Sequence, residues 1–229
     1  MWDLQISALI KHYRVLRYDS RGHGASDVPE GEYSLDRLGA DVIDLLNNLE
    51  IKQVDFCGLS LGGIVGQWLA FRAPDRINRL VLCNTSAYLG PSDQWTENIS
   101  TVLRDDIERN AATFLGNWFL AQMISRNGPA VQQVRAMLMA MNPQGFAGSF
   151  AAVRDMDMRH SDTLISCQTL VIAGQFDTVT LASHSELIAQ AIPGAKLVVL
   201  PAVHLTNIEL PTEFICVLFE FLLGVPRPE

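Results

Sequence analysis

Short apolar runs rich in β-branched residues recur along the chain and are typical of buried strands. Five such runs occupy residues 13–18, 54–57, 79–83, 169–173 and 196–200. Runs of this length without polar alternation fit strands that are covered on both faces of a sheet. The pattern therefore predicts a sheet that lies between two layers of other structure.

Helical patterns lie between most of these runs. One helix is predicted by apolar residues at helical spacing behind Ser34, a suitable N-cap. Further helices are predicted over residues 61–72, around 186–192 and over 211–223, where Gly224 would end the last one. Strands that alternate with helices indicate an α/β fold with a mostly parallel sheet.

The alternation fails between residues 86 and 161. Helical patterns occur near residues 96–108, 111–125 and 129–141, and the sequence 142–145 (NPQG) interrupts the apolar stretch that follows. We therefore predict a helical cap over residues 86–161 and a core formed by residues 1–85 and 162–229. The cap is rich in aromatic residues and methionine, and we expect it as a whole to line a pocket over the carboxyl ends of the strands.

Composition narrows the range of functions. The chain has 229 residues, of which 48% are hydrophobic and 18% charged, enough to form a core. Its net charge of −8 argues against a nucleic-acid or anionic-membrane partner, because both need clustered Lys and Arg. The N-terminus lacks the features of a signal peptide, and the four widely spaced cysteines are expected to be free thiols. We expect a cytoplasmic protein.

The strongest chemical signal is Gly58-Leu59-Ser60-Leu61-Gly62, which lies directly after a predicted strand and directly before a predicted helix. G-x-S-x-G in this context is the nucleophile elbow, in which the serine lies on a strained turn. We expect Gly58 and Gly62 to be required because a Cβ at either would collide with its surroundings. Ser60 would be the nucleophile, and the N–H of Leu61 would stabilise an oxyanion at the helix N-terminus.

A base and an acid follow in the order that this arrangement needs. His204 comes after the last predicted strand, and Asp177 comes after the strand before it. The order serine, acid, histidine matches an elbow-type triad, in which the carboxylate orients the imidazole. Glu209 is too close to His204 in sequence and is expected to cap the last helix, whereas Asn84 is an amide and cannot replace the acid.

No other catalytic motif competes with this one. The sequence has no phosphate-binding G-x-x-x-x-G-K-[ST], no G-x-G-x-x-G at a strand-to-helix turn and no H-E-x-x-H. Cysteine and histidine do not cluster as metal ligands. We therefore expect an enzyme that needs neither a cofactor nor a metal.

Taken together, these motifs resemble the α/β-hydrolase family, and more narrowly the 3-oxoadipate enol-lactonases. The resemblance covers almost the whole chain. The segments that carry it are RYDSRGHGAS at 17–26, CGLSLGG at 57–63, LVLCNT at 80–85, AAVRDMDMR at 151–159 and HLTNIE at 204–209. It implies hydrolysis of a five-membered enol-lactone to 3-oxoadipate through an acyl-enzyme on Ser60, with a small-molecule lactone or ester as substrate.

The resemblance also implies features outside the triad. The family's substrate carries a carboxylate, which needs a cation or a helix N-terminus nearby, and Arg135 and Arg154 are candidates, with Trp118 as a further substrate-binding candidate. In the family, strands precede the first helix, and a loop after one of them supplies a second oxyanion N–H. This sequence starts at the entry to that helix, so three interpretations stay open: a truncated chain, a gap closed by direct strand pairing, or a gap closed by another chain. An open sheet edge would allow a homodimer.

Two alternatives stay open at this point. The same scaffold could serve another small-ester or C–C bond hydrolase, because the cap sets the shape of the substrate. A folded chain without catalytic activity, acting as a binding or structural module, is the second alternative, and the short start motivates it.

Overall fold

A parallel sheet lies at the centre of the computed structural model, which describes residues 1–105 and 107–224. In these residues the sheet has four strands in the order β1-β2-β3-β4. The strands are β1 (Val54–Leu59), β2 (Ile77–Cys83), β3 (Gln168–Gly174) and β4 (Lys196–Leu200). Four of the five predicted strands and the α/β class are therefore confirmed.

The carboxyl ends of the four strands lie in register along one edge of the sheet. Leu59 is paired with Cys83, Cys83 with Ile172, and Gly174 with Leu200. Because all four strands are parallel, the loops that leave them collect at this edge. This is the place to which the sequence assigns the nucleophile, the acid and the base.

The predicted strand over residues 13–18 is wrong. That segment is irregular and pairs with no strand in the described part of the chain. Leu16 and Tyr18 in it are 44% and 37% exposed. A run of β-forming residues becomes a strand only where a neighbour supplies the hydrogen bonds, and among residues 1–105 and 107–224 β1 pairs with β2 alone.

Helices surround the sheet. In chain order they are α1 (Asp3–Leu9), α2 (Leu35–Asn48), α3 (Leu61–Arg72), α4 (Ser92–Arg104), α5 (Ile107–Trp118), α6 (Ala121–Arg126), α7 (Pro129–Met139), α8 (Pro143–Asp155), α9 (Ala182–Ala191), α10 (Thr206–Glu209) and α11 (Pro211–Leu223). Short 3₁₀ turns span Pro74–Arg76 and Ser161–Leu164. The predicted caps are confirmed: Ser34 Oγ accepts the Arg37 N–H, and Gly224 ends α11 with φ 69°.

The segment between β2 and β3 contains five helices in its described residues, α4 to α8, where the sequence predicts three. Two differences make up this number: α5 and α6 lie where the sequence predicts one helix over residues 111–125, and α8 lies where it predicts none. The sequence 142–145 indicates an interruption, but Asn142 caps α8 by accepting the Gln144 N–H at 2.9 Å, and Pro143 occupies the first position of the helix. Residue 106, in the predicted helix 96–108, lies outside the described residues.

Apolar clusters cover both faces of the sheet. On one face Leu59, Val81 and Ile172 pack with Leu115 of α5 and Val131 of α7. The opposite face is covered by α2, α3 and α9. The division into a core and a cap over residues 86–161 stays a prediction, and residues 225–229 of the predicted core lie outside the described chain. Among the described helices, none is long and apolar enough to cross a membrane.

Candidate active site

Ser60 occupies a strained turn between β1 and α3. Its backbone has φ 55° and ψ −120°, a conformation that a non-glycine residue rarely adopts. The turn is held by the Ser60 N–H, which donates to the Cys83 carbonyl at 2.9 Å, and by Thr85 Oγ1, which donates to the Ser60 carbonyl at 2.8 Å. The geometry is that of the nucleophile elbow that the sequence predicts.

Two glycines let this turn close, but only one of them was predicted. A Cβ at Gly58 would collide with the backbone carbonyl of Gly62, and a Cβ at Gly63 would lie 2.6 Å from the Thr85 Cβ. A Cβ at Gly62 would meet nothing within 4 Å. The steric requirement expected at Gly62 is therefore wrong. It is the backbone carbonyl of Gly62 that limits the space at Gly58, whereas the space that a Cβ of residue 62 would occupy is open.

Leu61 is the first residue of α3, so its N–H has no acceptor within the helix. The N–H groups of Gly63 and Ile64 donate to the Ser60 carbonyl at 2.9 and 3.1 Å. The Leu61 N–H lies at the positive end of the helix dipole, directly after the serine. Its use as an oxyanion donor stays a prediction.

His204 and Asp177 form a buried hydrogen-bonded pair. The imidazole Nδ1 lies 2.8 Å from Asp177 Oδ2, and the two residues are 2% and 3% exposed. An ionised carboxylate has no proton to donate, so Nδ1 carries the hydrogen and Nε2 is free to accept one. The structure thus brings the predicted acid and base together in the arrangement that orients a general base.

The Asp177 carboxylate is held by further donors. Oδ1 accepts the N–H groups of Val179 and Thr180 at 2.8 and 3.0 Å, and Oδ2 accepts Thr180 Oγ1 at 2.7 Å and Asn84 Nδ2 at 3.0 Å. Burial raises the pKa of Asp177, but the hydrogen bond from His204 and these other donors outweigh burial and hold the pKa below its ordinary value. The carboxylate is therefore ionised at neutral pH.

The serine and the histidine are not hydrogen-bonded to each other in the described structure. The imidazole hydrogen bonds are to Asp177 and, at 3.4 Å, to Thr180 Oγ1. Ser60 and His204 follow β1 and β4, whose carboxyl ends share the same edge of the sheet. Contacts of this kind are often long before the substrate binds and tighten in the complex.

A series of stacked rings leads away from His204. Trp118 stacks on the imidazole with a centroid distance of 6.2 Å, and Phe114 stacks on Trp118 at 5.4 Å. Phe146 stacks on Phe114 at 5.0 Å, and His23 meets Phe146 edge-on at 6.4 Å. We call Trp118, Phe114 and Phe146 the aromatic ladder. Of its members, the sequence singled out Trp118; Phe114 lies four residues before it on α5, a spacing that could have been noticed.

The two arginines proposed for the substrate carboxylate lie elsewhere. Arg154 makes a bidentate pair with Glu32, with both distances 2.8 Å, and a further pair with Asp155. Its charge is already matched by two carboxylates. Arg135 is exposed on α7, whose buried side is formed by other residues. The described structure shows no contact between either arginine and His204, and their binding role stays a prediction.

Glu209 does not cap the last helix, contrary to the expectation from the sequence. Helix α11 begins after Leu210 without a side-chain cap, and Glu209 Oε2 instead accepts the Val203 N–H at 3.1 Å. Burial raises the pKa of Glu209 to about 7. Asn84 and Thr180 are further residues that sequence reasoning missed, since nothing in a single sequence indicates which amide or hydroxyl will reach the acid.

Comparisons with known proteins find a matching family and several similar proteins. The profile of the family described as alpha/beta hydrolase fold matches residues 1–211. The chain is 37% identical to 3-oxoadipate enol-lactonase 2 of Acinetobacter baylyi over 214 residues, which are 93% of this chain and 80% of that protein. This chain is also 29% identical to a protein of Pseudomonas savastanoi pv. phaseolicola, and the match covers 96% of this chain and 88% of that protein. The name of that protein assigns it provisionally as the carbamate hydrolase RutD.

Solved structures are similar over nearly the whole chain. A hydrolase from Pseudomonas aeruginosa PA01 is 60% identical with a TM-score of 0.95, and the match covers 96% of this chain and 84% of that one. The enol-lactonase from Burkholderia xenovorans LB400 is 37% identical with a TM-score of 0.94, and the match covers 97% of this chain and 85% of that one.

Proposed function

The chain belongs to the alpha/beta hydrolase family, and we propose that it is a serine hydrolase that opens the ring of 3-oxoadipate enol-lactone to give 3-oxoadipate. The observation that carries the proposal is the buried His204–Asp177 hydrogen bond of 2.8 Å at the sheet edge where Ser60 occupies its strained turn. The similarity to enol-lactonases over nearly the whole chain supports the choice of substrate.

In the first half of the proposed reaction, Ser60 Oγ attacks the lactone carbonyl while His204 Nε2 takes its proton. The carbonyl oxygen becomes an oxyanion, which the Leu61 N–H stabilises. The intermediate collapses by breaking the ring C–O bond, and the leaving enol oxygen receives the proton from His204. The enol becomes the ketone, and the acyl group stays on Ser60.

In the second half, a water molecule replaces the leaving group. His204 Nε2 takes a proton from this water, and the resulting hydroxide attacks the acyl carbonyl. The new carbon–oxygen bond gives the carboxylic acid as Ser60 Oγ leaves with the proton from His204. Asp177 stays ionised in both halves and stabilises the imidazolium that forms in each of them.

The aromatic ladder favours the binding of a planar substrate. Trp118 lies against the imidazole, so a lactone ring held over Ser60 would face aromatic rings on this side. Ring faces pack well against planar conjugated groups and exclude water from the reacting carbonyl. This arrangement is also compatible with a planar ester or carbamate, so the ladder alone does not choose among them.

A second candidate is hydrolysis of a simpler ester or of a carbamate. The relative whose name refers to carbamate hydrolysis covers nearly the whole chain, at lower identity than the enol-lactonase. Both reactions use the same acyl-enzyme chemistry, and they differ in the group that the cap admits. The substrate is therefore decided by comparing rates.

The test is a comparison of kcat/KM for 3-oxoadipate enol-lactone, p-nitrophenyl acetate and an aryl carbamate. We expect the enol-lactone to exceed the other two by at least about 100-fold, which corresponds to about 2.7 kcal/mol of transition-state discrimination. Ser60→Ala should abolish all three activities, and Ser92→Ala, an exposed serine at the start of α4, is the control. A higher kcat/KM for the ester or the carbamate would overturn the enol-lactone assignment.

A further inference from the structure

Val203, the residue before the proposed base, depends on two side chains for its backbone hydrogen bonds. It follows β4 and is 7% exposed. Its N–H donates to Glu209 Oε2 at 3.1 Å, and its carbonyl accepts from Asn84 Nδ2 at 2.9 Å. Buried peptide groups need partners, and at this position the side chains provide them in place of a strand ladder. The carbonyl belongs to the peptide bond that leads directly into His204.

Both the nitrogen and the oxygen of the Asn84 side-chain amide make hydrogen bonds. Asn84 is fully buried, has φ 42°, and its N–H donates to the Ile172 carbonyl at 2.8 Å, which ties it to β3. Besides Val203, Nδ2 donates to Asp177, and Oδ1 accepts from Thr206 Oγ1 at 2.8 Å. One side chain thus joins the loop of the acid, the loop of the base and the helix after the base.

The end of β3 packs directly against the same peptide. A Cβ at Gly174 would collide with the Val203 carbonyl, so only a glycine lets the two backbones approach this closely. A shift of the Val203 carbonyl toward β3 is therefore sterically blocked. Asn84 holds the carbonyl from one side while the backbone of β3 limits it from another.

The Glu209 carboxyl is partly buried and bonds to the backbone beside it. Its Oε1 is buried and has no hydrogen-bond partner among the described residues. Its hydrogen bond to a neighbour is the one that Oε2 accepts from the Val203 N–H. Burial and the nearby charge of Asp177 raise its pKa to about 7. Burial costs this carboxyl part of its hydration, and the hydrogen bond from the Val203 N–H offsets part of that cost.

We propose that Asn84 and Glu209 are positioning residues, which hold the Val203 backbone between them and thereby set the place of the His204 imidazole. The inference rests on the proposed function, in which His204 is the base. Both side chains hold the peptide that leads into the base, and Asn84 is fully buried. Their effect is on geometry, and a displacement of a reacting group by about 1 Å can lower a rate roughly 10²-fold.

The kinetic test uses Asn84→Ala, Glu209→Ala and Glu209→Gln. We expect each alanine variant to lower kcat roughly 10- to 100-fold with KM nearly unchanged. Glu209→Gln should keep most of kcat, because its amide oxygen still accepts the Val203 N–H. The double alanine variant should lose less than the product of the single losses, since both substitutions release the same peptide.

Matched controls separate positioning from general destabilisation. Asn78 is exposed at the opposite end of β2, about 20 Å along the strand from Asn84, and Glu213 is exposed on α11. Asn78→Ala and Glu213→Ala should leave kcat unchanged. The proposal is overturned if Asn84→Ala and Glu209→Ala change KM alone, if Glu209→Gln is as impaired as Glu209→Ala, or if the losses only follow the folded fraction in urea.

A second readout does not depend on turnover. The Nδ1 proton of His204, hydrogen-bonded to Asp177, should give a low-field proton resonance that His204→Gln removes. We expect this resonance to shift or broaden in Asn84→Ala and Glu209→Ala and to stay in place in the two controls. A shifted resonance without enol-lactone turnover in the parent protein would overturn the proposed substrate and keep the positioning role. Normal turnover with an unmoved resonance would overturn the positioning role.

If Asn84→Ala does not fold, Asn84→Ser and the two Glu209 variants carry the same comparison. A serine hydroxyl can donate to only one acceptor at a time, so it can replace one of the two Asn84 donor bonds. An intermediate loss of kcat, between the parent and Glu209→Ala, is expected. Parent-like kcat and an unmoved resonance in both Asn84→Ser and Glu209→Ala would overturn the proposal.

Discussion

The indole of Trp118 stacks on the imidazole of His204, with the ring centroids 6.2 Å apart and an angle of 27° between the planes. This contact joins helix α5 to the loop that carries the proposed base. The Leu205 N–H also donates to the Trp118 carbonyl at 3.4 Å, so both the side chain and the backbone of Trp118 meet this loop. The indole covers one face of the imidazole and limits the access of water to it.

We predict that Trp118→Ala lowers kcat/KM roughly tenfold, mainly through a higher KM, because the variant loses a ring face beside the reacting carbonyl. Trp118→Phe should retain most of the activity, since a phenyl ring can still stack. Steady-state kinetics on the preferred substrate measure both. Trp68→Phe, at a tryptophan on the other side of the sheet that bonds Asp36, is the control. Equal activity in Trp118→Ala and the parent would contradict this role.

For the acid we predict that Asp177→Asn lowers kcat by about 10⁴-fold while the protein stays folded. An amide at this position can donate to Nδ1, which favours the imidazole tautomer with the proton on Nε2, and that tautomer cannot accept a proton from Ser60. Asp75→Asn, at an exposed aspartate in the turn before β2, is the control. A loss of less than about tenfold, measured by kcat on the folded variant, would show that another group orients His204.

The two glycines of the elbow motif should respond in opposite ways. Gly58→Ala places a Cβ against the Gly62 carbonyl and should reduce the free energy of unfolding by more than about 3 kcal/mol or prevent folding. Gly62→Ala meets open space on a helix and should be neutral or stabilising by up to about 1 kcal/mol. Urea denaturation measures both, and a severe loss of stability in Gly62→Ala would contradict the open space.

The buried carboxyl of Asp162 makes the free energy of unfolding depend on pH. It is fully buried, neither carboxyl oxygen has a partner in the described residues, and burial together with the charge of Asp157 raises its pKa to about 7 from an ordinary value of 3.8. Between these two pH values the folded protein binds more protons than the unfolded chain. The free energy of unfolding therefore falls as pH rises through this window, and the penalty is complete above about pH 7.

Asp162→Asn removes this titration. Compared with the parent, the variant should gain roughly 2–4 kcal/mol of relative stability between about pH 4 and pH 8. Urea denaturation at several pH values measures the difference, and the titration of Glu209, which has the same sign, is common to both proteins and cancels. A stability difference that stays constant with pH would show that Asp162 ionises normally. Asp75→Asn is again the control.

Local signals in the sequence were enough to place the main elements of the site. Ser60, Asp177 and His204 each follow a run that forms a strand, and parallel strands bring such residues to one edge without further information. The helix α2 was predicted together with its Ser34 cap, because both depend on neighbours in sequence. The α/β class followed from the alternation alone.

Apart from helix α8, whose Asn142 cap is a local signal, the features that were missed depend on tertiary contacts. Residues 13–18 have the composition of a strand, but a strand also needs a neighbour, and none pairs with them in the described structure. Glu209 reaches Val203 across a turn, and Asn84 reaches Val203 across 119 positions of sequence. Packing likewise decides at which glycine an added Cβ would collide with neighbouring atoms, and this distinguishes Gly63 from Gly62. Such contacts follow from tertiary structure and have no signature in a single sequence.

The central claim is that Ser60 forms an acyl-enzyme with the help of His204 and Asp177. The most direct measurement is rapid-quench mass spectrometry of the protein during turnover of 3-oxoadipate enol-lactone, with peptide mapping of the adduct and Ser60→Ala as control. We predict an added acyl mass on the peptide that contains Ser60, and neither adduct nor turnover in Ser60→Ala. Turnover that persists in Ser60→Ala, or an adduct on another residue, would contradict the claim.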